Sequence, residues 1–157
     1  MLADRDVENS AIALWTGFEK HLGRAVDCTK RGIDHHLRHM HKVMPEVPLN
    51  LLCHGTIERG RDVTHGGVDY YNMCIDGAGL ATVADSFAAV EQRVDREGRL
   101  TWTELGAVLD RDFESAEQDR LMLNSIDRFG SGGSRADEYA VDITNLFVGL
   151  VAGTPTP

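Results

Sequence analysis

The chain has 157 residues, of which 42% are hydrophobic and 26% are charged, the composition of an ordinary folded domain. Its formal net charge is −9, and an acidic surface repels phosphate groups, so nucleic-acid binding is disfavoured. Three cysteines without a C-x-x-C spacing argue against a disulfide framework and favour a reducing compartment. The sequence shows neither a signal peptide nor a run of about 20 apolar residues, so we expect a cytoplasmic protein without membrane contact.

The first half of the chain predicts two helices and a loop. Within residues 10–44 apolar side chains recur at steps of three, four and seven, which is typical of a helix with one buried stripe. Pro45 and Pro48 end this helix, and a second, shorter helix is predicted over residues 48–58. The Gly-rich residues 60–72 have no helical period, so they are predicted to form a loop or a short strand.

The second half predicts four more helices. A helical pattern covers residues 79–97 and ends at Gly98, a favourable residue after a helix. The segments 101–104 (T-W-T-E) and 115–118 (S-A-E-Q) each have the capping-box pattern and predict two helix starts. A last helix is predicted over residues 135–151.

Residues 61–72 and 79–90 each follow a recognisable sequence pattern. The first reads R-D-V-T-H-G-G-V-D-Y-Y-N and the second reads G-L-A-T-V-A-D-S-F-A-A-V. They are similar to the R-D-x-T-x-G-G-A-x-Y-N and G-L-A-x-V-A-D-S-L-A-A-I segments of glycyl-radical enzymes of the pyruvate formate-lyase type. This chain has one more residue before its Tyr-Asn pair and Val68 in place of the family's alanine.

The resemblance extends from about Leu14 to Pro157 and implies a fold. It implies that residues 1–157 form a single partial domain, an internal segment of the ten-stranded α/β barrel of these enzymes. The isolated chain is then expected to be mainly α-helical, with one short strand near 63–71. Residues 153–157 are predicted to be extended and resemble the lead-in to the next family segment, so we expect the family's sequence to continue beyond Pro157.

The resemblance also implies a chemistry. Members hold a backbone radical on a glycine in an R-V-x-G-Y-like motif, and this radical generates a thiyl radical on a cysteine, often within G-C-x-E. A separate activating enzyme that uses S-adenosylmethionine and an iron–sulfur cluster installs the radical. The present sequence contains no Gly-Cys pair, and Gly153 lacks the family's flanking arginine and tyrosine. We therefore assign no catalytic residue to this chain and no cofactor of its own.

The function that the resemblance implies is that of a fragment of a lyase, dehydratase or formate acetyltransferase of anaerobic metabolism. Such an enzyme cleaves C–C, C–O or C–N bonds, and the fragment is expected to be inactive alone. Its expected partners are the remainder of the barrel or a full-length homologue, and the parent enzyme requires the activating enzyme. The alternative is a non-catalytic helical module that docks on a full-length homologue or serves in its assembly.

One loop supplies the candidates for the substrate pocket of the complete barrel: Gly66, Gly67, Tyr70, Tyr71 and Asn72. Glycines permit close approach of the backbone to a ligand, and tyrosines offer an apolar ring with a polar tip. A structural turn packed inside the barrel explains the same residues equally well.

Three further features have a structural interpretation. Asp85 lies in an otherwise apolar helix and needs a polar partner, for which Arg61 is the candidate. His35 and His39 are spaced to share a metal ion on one helix face, but the pattern lacks an acidic ligand, and we assign no metal. Cys53, next to a histidine, is predicted to be a buried and inert cysteine.

Overall fold

The structure is a computed structural model that describes residues 10–152. Its α-helices are α1 (Ala11–Val43), α2 (Val47–Leu52), α3 (Thr56–Arg59), α4 (Leu80–Val90), α5 (Trp102–Asp110), α6 (Glu117–Asn124) and α7 (Arg135–Ala152). A 3-10 turn covers Val63–His65, and a π-helix, Glu91–Arg96, continues α4. The prediction of a mainly α-helical chain is confirmed, whereas the predicted extended tail lies outside the described residues.

The short strand predicted near 63–71 is wrong, since the described residues contain no β-strand. The Asp62 carboxylate accepts a hydrogen bond from the Thr64 backbone N–H, and the His65 N–H donates to the Asp62 carbonyl oxygen. Gly66 then has a φ of 76°, in the left-handed region. These local bonds close a turn, whereas a strand requires a neighbouring strand as its hydrogen-bond partner.

Glycines explain two departures from the predicted helices. The second helix divides into α2 and α3 because Gly55, between them, has a φ of 95°. The helix predicted over 79–97 ends as expected before Gly98, whose φ is 60°, but its last six residues form a π-helix.

The two predicted capping boxes have different outcomes. The box at Thr101 and Glu104 is confirmed, with both reciprocal hydrogen bonds present at the start of α5. The box at Ser115 is wrong, because Ser115 has a φ of 58° and α6 begins two residues later. Its N-cap is Ala116, whose methyl side chain cannot accept a hydrogen bond from a free backbone N–H.

The chain divides into two compact units, and the prediction of one partial domain stays a prediction. Within the described residues, the first unit comprises residues 10–23 and 77–152, with a core contributed largely by α4 and α7. The buried members of this core are Ala84, Phe87, Ala88, Ala136, Tyr139, Ala140 and Ile143. Trp15 and Phe18 of α1 pack against them, so the aromatic residues of α1, α4 and α7 meet in one cluster.

Within the described residues, the second unit comprises residues 24–76. Among its described residues, the buried apolar side chains are Val26 and Val63, and the buried polar ones are Thr56 and Thr64. So small an apolar core gives little hydrophobic stabilisation, and the contacts that organise this unit are mainly polar.

None of the helices described is long and apolar enough to cross a membrane.

Candidate functional site

The 61–72 loop, which contains the predicted pocket residues, is built around the carboxylate of Asp62. Its Oδ1 accepts hydrogen bonds from the Thr64 backbone N–H at 2.9 Å and from the Thr64 hydroxyl at 2.5 Å. Its Oδ2 accepts from the Glu46 backbone N–H at 2.9 Å and from the Asn50 side-chain amide at 2.7 Å. One carboxylate therefore joins the loop to the start of α2.

Asp62 is ionised at neutral pH and acts as a structural acceptor. The hydrogen bond from Thr64 is the largest cause that lowers the pKa of Asp62 to about 2, from its ordinary value of 3.8. The bonds from Asn50 and Glu46 act in the same direction, whereas burial acts against them. A carboxylate with four donors and so low a pKa is poorly suited to accept or release a proton near neutral pH.

Asn50 and Thr56 extend this polar network into α2 and α3. The Asn50 side-chain oxygen accepts a hydrogen bond from the Val63 backbone N–H at 2.8 Å. The buried Thr56 hydroxyl donates to the Asn50 carbonyl oxygen and lies 2.9 Å from that of Cys53. The backbone polar groups exposed by the break between α2 and α3 thus gain partners, as buried polar groups require.

Gly66 and Gly67 are explained by the geometry of the turn. The Gly67 N–H donates to the Asp62 carbonyl oxygen at 2.9 Å. A Cβ at Gly67 would lie 2.6 Å from that same oxygen and closer still to the Arg61 carbonyl oxygen. The Arg59 guanidinium donates to the Gly67 carbonyl oxygen at 3.1 Å and also pairs with Asp69. Position 67 consequently accepts no side chain.

The polar side chains that follow lie at the surface of the chain. Tyr70 is 94% exposed and Tyr71 is 47% exposed. Asn72 is also exposed, and its side-chain amide lies 3.6 Å from the Cys74 sulfur. The loop therefore combines a fixed turn at its glycines with exposed aromatic and amide groups, and the assignment of all five residues to a substrate pocket stays a prediction.

Asp85, the other predicted polar residue, has partners in its own unit. Its Oδ1 accepts a hydrogen bond from the Phe129 backbone N–H at 2.8 Å, and its Oδ2 lies 3.9 Å from an Arg128 guanidinium nitrogen. These contacts fix the segment after α6 against α4. Arg61 is exposed and belongs to the second unit, so its pairing with Asp85 stays a prediction.

An apolar cleft of about 600 Å³ lies in the first unit, at a distance along the chain from the predicted loop. Residues of α1, α4, α5 and α6 line it, including Phe18 and Leu105. Its charged residues already pair with neighbours, as Arg120 does with Glu117. A cleft of this kind offers hydrophobic contact but lacks the convergent polar groups of a substrate site.

The histidines and cysteines form no metal centre in the part of the chain that the structure describes, where no three His, Cys, Asp or Glu residues converge. The rings of His35 and His39 stack at 4.4 Å, and the His39 Nδ1 lies 2.8 Å from the His35 carbonyl oxygen. The ring centres of His41 and His65 lie 3.8 Å apart. Burial is the largest cause that lowers the pKa of His41, and the neighbouring His65 acts in the same direction. Cys53, predicted to be buried, is half-buried.

Sequence reasoning missed Asn50, Thr56 and Arg59 and gave Asp62 no role beyond its place in the motif. The D-x-T spacing of Asp62 and Thr64 is a local signal, since an aspartate commonly accepts a hydrogen bond from the backbone two residues later. The donors from Glu46 and Asn50 lie 16 and 12 residues away, and no local spacing indicates them.

Comparison with known proteins identifies the family of this chain. The family model described as pyruvate formate lyase-like matches residues 7–157. The chain therefore belongs to the pyruvate formate lyase-like family of glycyl-radical enzymes. The resemblance seen in residues 61–72 and 79–90 is confirmed.

The chain is 31% identical over 116 residues to the trans-4-hydroxy-L-proline dehydratase of Clostridioides difficile, covering 73% of this chain and 15% of that protein. It is 40% identical over 70 residues to the isethionate sulfite-lyase of Desulfovibrio desulfuricans, covering 45% of this chain and 8% of that protein. It therefore spans less than a sixth of the length of these relatives.

Among solved structures, the fold is similar to the glycerol-bound form of the B12-independent glycerol dehydratase from Clostridium butyricum. The TM-score is 0.77 at 23% sequence identity, and the match covers 96% of this chain and 19% of that one. At this identity the likeness concerns the fold. It confirms that the fold of this helical chain corresponds to part of a larger fold.

Proposed function

We propose that this chain is a structural part of a glycyl-radical dehydratase or lyase and that it is inactive alone. The observation that carries this proposal is the family match over residues 7–157 in a chain that spans 15% of a dehydratase relative. In the proposal, the radical glycine and the thiyl cysteine belong to other parts of the assembled enzyme. An activating enzyme that uses S-adenosylmethionine installs the radical there, in the cytoplasm of an anaerobic cell.

Dehydration is the reaction that the relatives favour. The hydroxyproline relative and the glycerol-bound neighbour are both dehydratases, and their names describe small hydroxylated compounds. In the proposal, the thiyl radical removes a hydrogen atom from such a compound and thereby initiates cleavage of a C–O bond. This chain contributes no reacting group to that step.

The contribution of this chain is to shape the wall around the substrate. The Asp62 network fixes the glycine turn, and Tyr70, Tyr71 and Asn72 extend from it as exposed polar groups. Phenol and amide groups suit hydrogen bonding to hydroxyl and carboxylate groups of a small ligand. We therefore propose that Gly66 and Gly67 set the turn, and that the three side chains after it approach the substrate.

A chimeric enzyme tests the proposal. The aligned segment of the hydroxyproline dehydratase is replaced by residues of this chain, and the product is treated with that enzyme's activating enzyme and S-adenosylmethionine. We expect a glycyl-radical signal in electron paramagnetic resonance from the chimera and none from this chain alone. A soluble chimera without the signal, or a signal from the chain alone, would contradict the proposal.

The role of the loop has a separate test in the same chimera. Tyr71→Phe removes one hydroxyl and should lower kcat/KM by about tenfold, the value of one hydrogen bond to the substrate. Tyr139→Phe is the matched control, because its buried hydroxyl donates to Glu91 at 2.7 Å within the first unit. That control should lower the melting temperature and leave kcat/KM unchanged.

The alternative function, a non-catalytic module that docks on a full-length homologue, is also compatible with the exposed apolar residues of α2. The two functions predict different complexes. An assembly module binds a complete dehydratase that already contains its own copy of this segment. A structural part of the barrel does not bind the complete enzyme, and sedimentation of the mixture distinguishes the two.

A further inference from the structure

Helix α2 exposes almost all of its apolar side chains. Its sequence is V-P-L-N-L-L, and none of its residues is buried. Leu51 is 70% exposed and Leu52 is 83% exposed. Together with exposed neighbours they form what we call the α2 apolar surface: Val43, Met44, Val47, Leu49, Leu51, Leu52 and Ile57.

Seven large exposed apolar residues within 15 positions are unusual for a protein surface. Single exposed residues such as Leu121, Val141 and Val148 of the first unit are ordinary, because every folded protein leaves some apolar area in water. A group of this density is typical of a surface that takes part in an interaction.

The same helix is firmly held by its polar groups. Asp62 accepts hydrogen bonds from the backbone N–H of Glu46, the residue before α2, and from the side chain of Asn50. Thr56 donates to the Asn50 carbonyl oxygen. The α2 apolar surface is therefore presented in one fixed arrangement, which reduces the entropy lost when a partner binds.

We propose that the α2 apolar surface packs against the remainder of a pyruvate formate lyase-like barrel. This inference rests on the proposed function and assigns to it a specific interface. The fold likeness covers 19% of the glycerol dehydratase chain, so about four-fifths of that fold is polypeptide with no counterpart in this chain. The occupant is thus a protein surface of the same family, covering the second unit.

The distribution of charge supports this occupant. Residues 24–76 contain seven basic and seven acidic side chains, so the entire net charge of −9 belongs to the rest of the chain. Residues 47–53 contain no charged side chain. Helix α2 itself can therefore be buried against a large protein without the cost of removing a charge from water.

The chimera described above tests this interface with a double substitution, Leu51→Gln and Leu52→Gln. Both side chains are exposed in the isolated chain, so the substitutions should leave its helix content unchanged there. In the chimera they should lower the melting temperature by about 3 °C, because two leucines lose their apolar contacts in a long chain. Leu121→Gln, at a leucine that is 57% exposed in α6, is the matched control and should leave the melting temperature within 1 °C, roughly the effect of an ordinary surface substitution.

Each outcome decides one point. A chimera that carries the radical but melts unchanged with both substitutions overturns the interface and leaves the proposed function intact. A chimera with unsubstituted residues that is soluble but lacks the radical overturns the proposed function instead. A double variant that fails to accumulate, while the Leu121→Gln chimera accumulates, supports the interface. If Leu121→Gln lowers the melting temperature or the accumulation of the chimera equally, the assignment of the interface to α2 is overturned.

Self-association identifies the competing occupant. If the isolated chain sediments as a dimer that the Leu51→Gln and Leu52→Gln substitutions dissociate, and the chimera is insensitive to them, then the α2 apolar surface binds a second copy. That result would overturn the barrel as the occupant. A chain that remains monomeric, with a chimera that loses stability, supports it.

Discussion

In the first unit, the Phe87 ring lies 5.2 Å from that of Tyr139, 5.3 Å from that of Trp15 and 5.4 Å from that of Phe18. In the second unit, the carboxylate of Asp62 accepts four hydrogen bonds from the loop and from the start of α2. Burial of aromatic rings is a large source of stability, whereas each hydrogen bond contributes about 1 kcal/mol net. The second unit is therefore ordered mainly by polar contacts and leaves many of its apolar side chains exposed.

The first unit also contains a carboxylate that organises a loop. Asp137 accepts hydrogen bonds from the backbone N–H groups of Gly130 at 2.7 Å and of Gly132 and Ser134 at 3.0 Å each. These bonds lower the pKa of Asp137 to about 2, with Gly130 the largest cause. Here the carboxylate shapes a turn beside an existing apolar core. The second unit has few buried apolar side chains, and a carboxylate of the same kind, that of Asp62, supplies many of its contacts. The predictions below test this difference between the two units.

Phe87→Ala should have the largest effect. The ring is 4% exposed and lies in α4 against aromatic residues of α1 and α7, so its removal leaves a cavity in the centre of the core. We expect a loss of about 4 kcal/mol in the free energy of unfolding of the first unit. Denaturant titration followed by tryptophan fluorescence, to which Trp15 beside Phe87 contributes, measures this loss. Val148→Ala, at a side chain that is 54% exposed, should cost less than about 1 kcal/mol.

Gly67→Ala is the corresponding change in the second unit and should be next in size. The added Cβ meets the Asp62 and Arg61 carbonyl oxygens, which are backbone atoms and cannot move away without opening the turn. We expect a loss of about 3 kcal/mol, measured as faster amide exchange at Thr64, His65 and Gly67. Gly32→Ala is the control, because nothing lies within 4 Å of its added Cβ in α1. That change should stabilise the helix by up to about 1 kcal/mol, and similar effects of the two substitutions would contradict the close approach at Gly67.

The sequence predicts the parts of this fold that depend on neighbouring residues. Pro45 ends α1 and Gly98 follows the π-helix, because each residue restricts or permits the backbone at its own position. The box at Thr101 forms for the same local reason. At Ser115 the same four-letter pattern fails, because Asp112, Phe113 and Ser115 all have positive φ in a turn that the pattern does not encode.

The candidate site is less predictable for a physical reason. The family pattern identifies residues 61–72, but it does not separate residues that fold the loop from those exposed on it. Gly67 is fixed by backbone oxygens and Asp62 by donors from α2, so both depend on tertiary contacts. The exposure of Tyr70 likewise depends on which other residues of the folded chain pack near it. A sequence pattern records all of these residues alike.

Acidification should distinguish the two carboxylates. The pKa of Asp62 is about 2 in the folded chain against an ordinary value of 3.8, so the folded state favours its ionised form. Its stabilisation is therefore complete above about pH 4 and is lost as the pH falls from 4 towards 2. Asp62→Ala removes the acceptor, should cost about 2 kcal/mol at pH 7 and should abolish this pH dependence in the exchange of the Thr64 amide.

Asp137→Ala supplies the comparison for that experiment. The pKa of Asp137 is also about 2, so exchange of the Gly130 and Ser134 amides should accelerate over the same pH range. Asp137→Ala should abolish the acid sensitivity of those amides and leave that of Thr64 in place. If the Thr64 amide retains its acid sensitivity in Asp62→Ala, the assignment of Asp62 as the organising group of the second unit is wrong.

The smallest effects concern helix starts within the first unit and show how much local bonds add to its apolar core. Thr101→Ala removes a side chain that accepts from the Glu104 N–H at 3.2 Å, and should cost about 1 kcal/mol. Ser115→Ala should cost close to nothing, since Ser115 caps no helix, and Ser115→Gly should stabilise by up to about 1 kcal/mol because its φ is 58°. Urea denaturation of the three variants measures these differences. Equal losses from Thr101→Ala and Ser115→Ala would restore the second capping box, which the positive φ of Ser115 excludes.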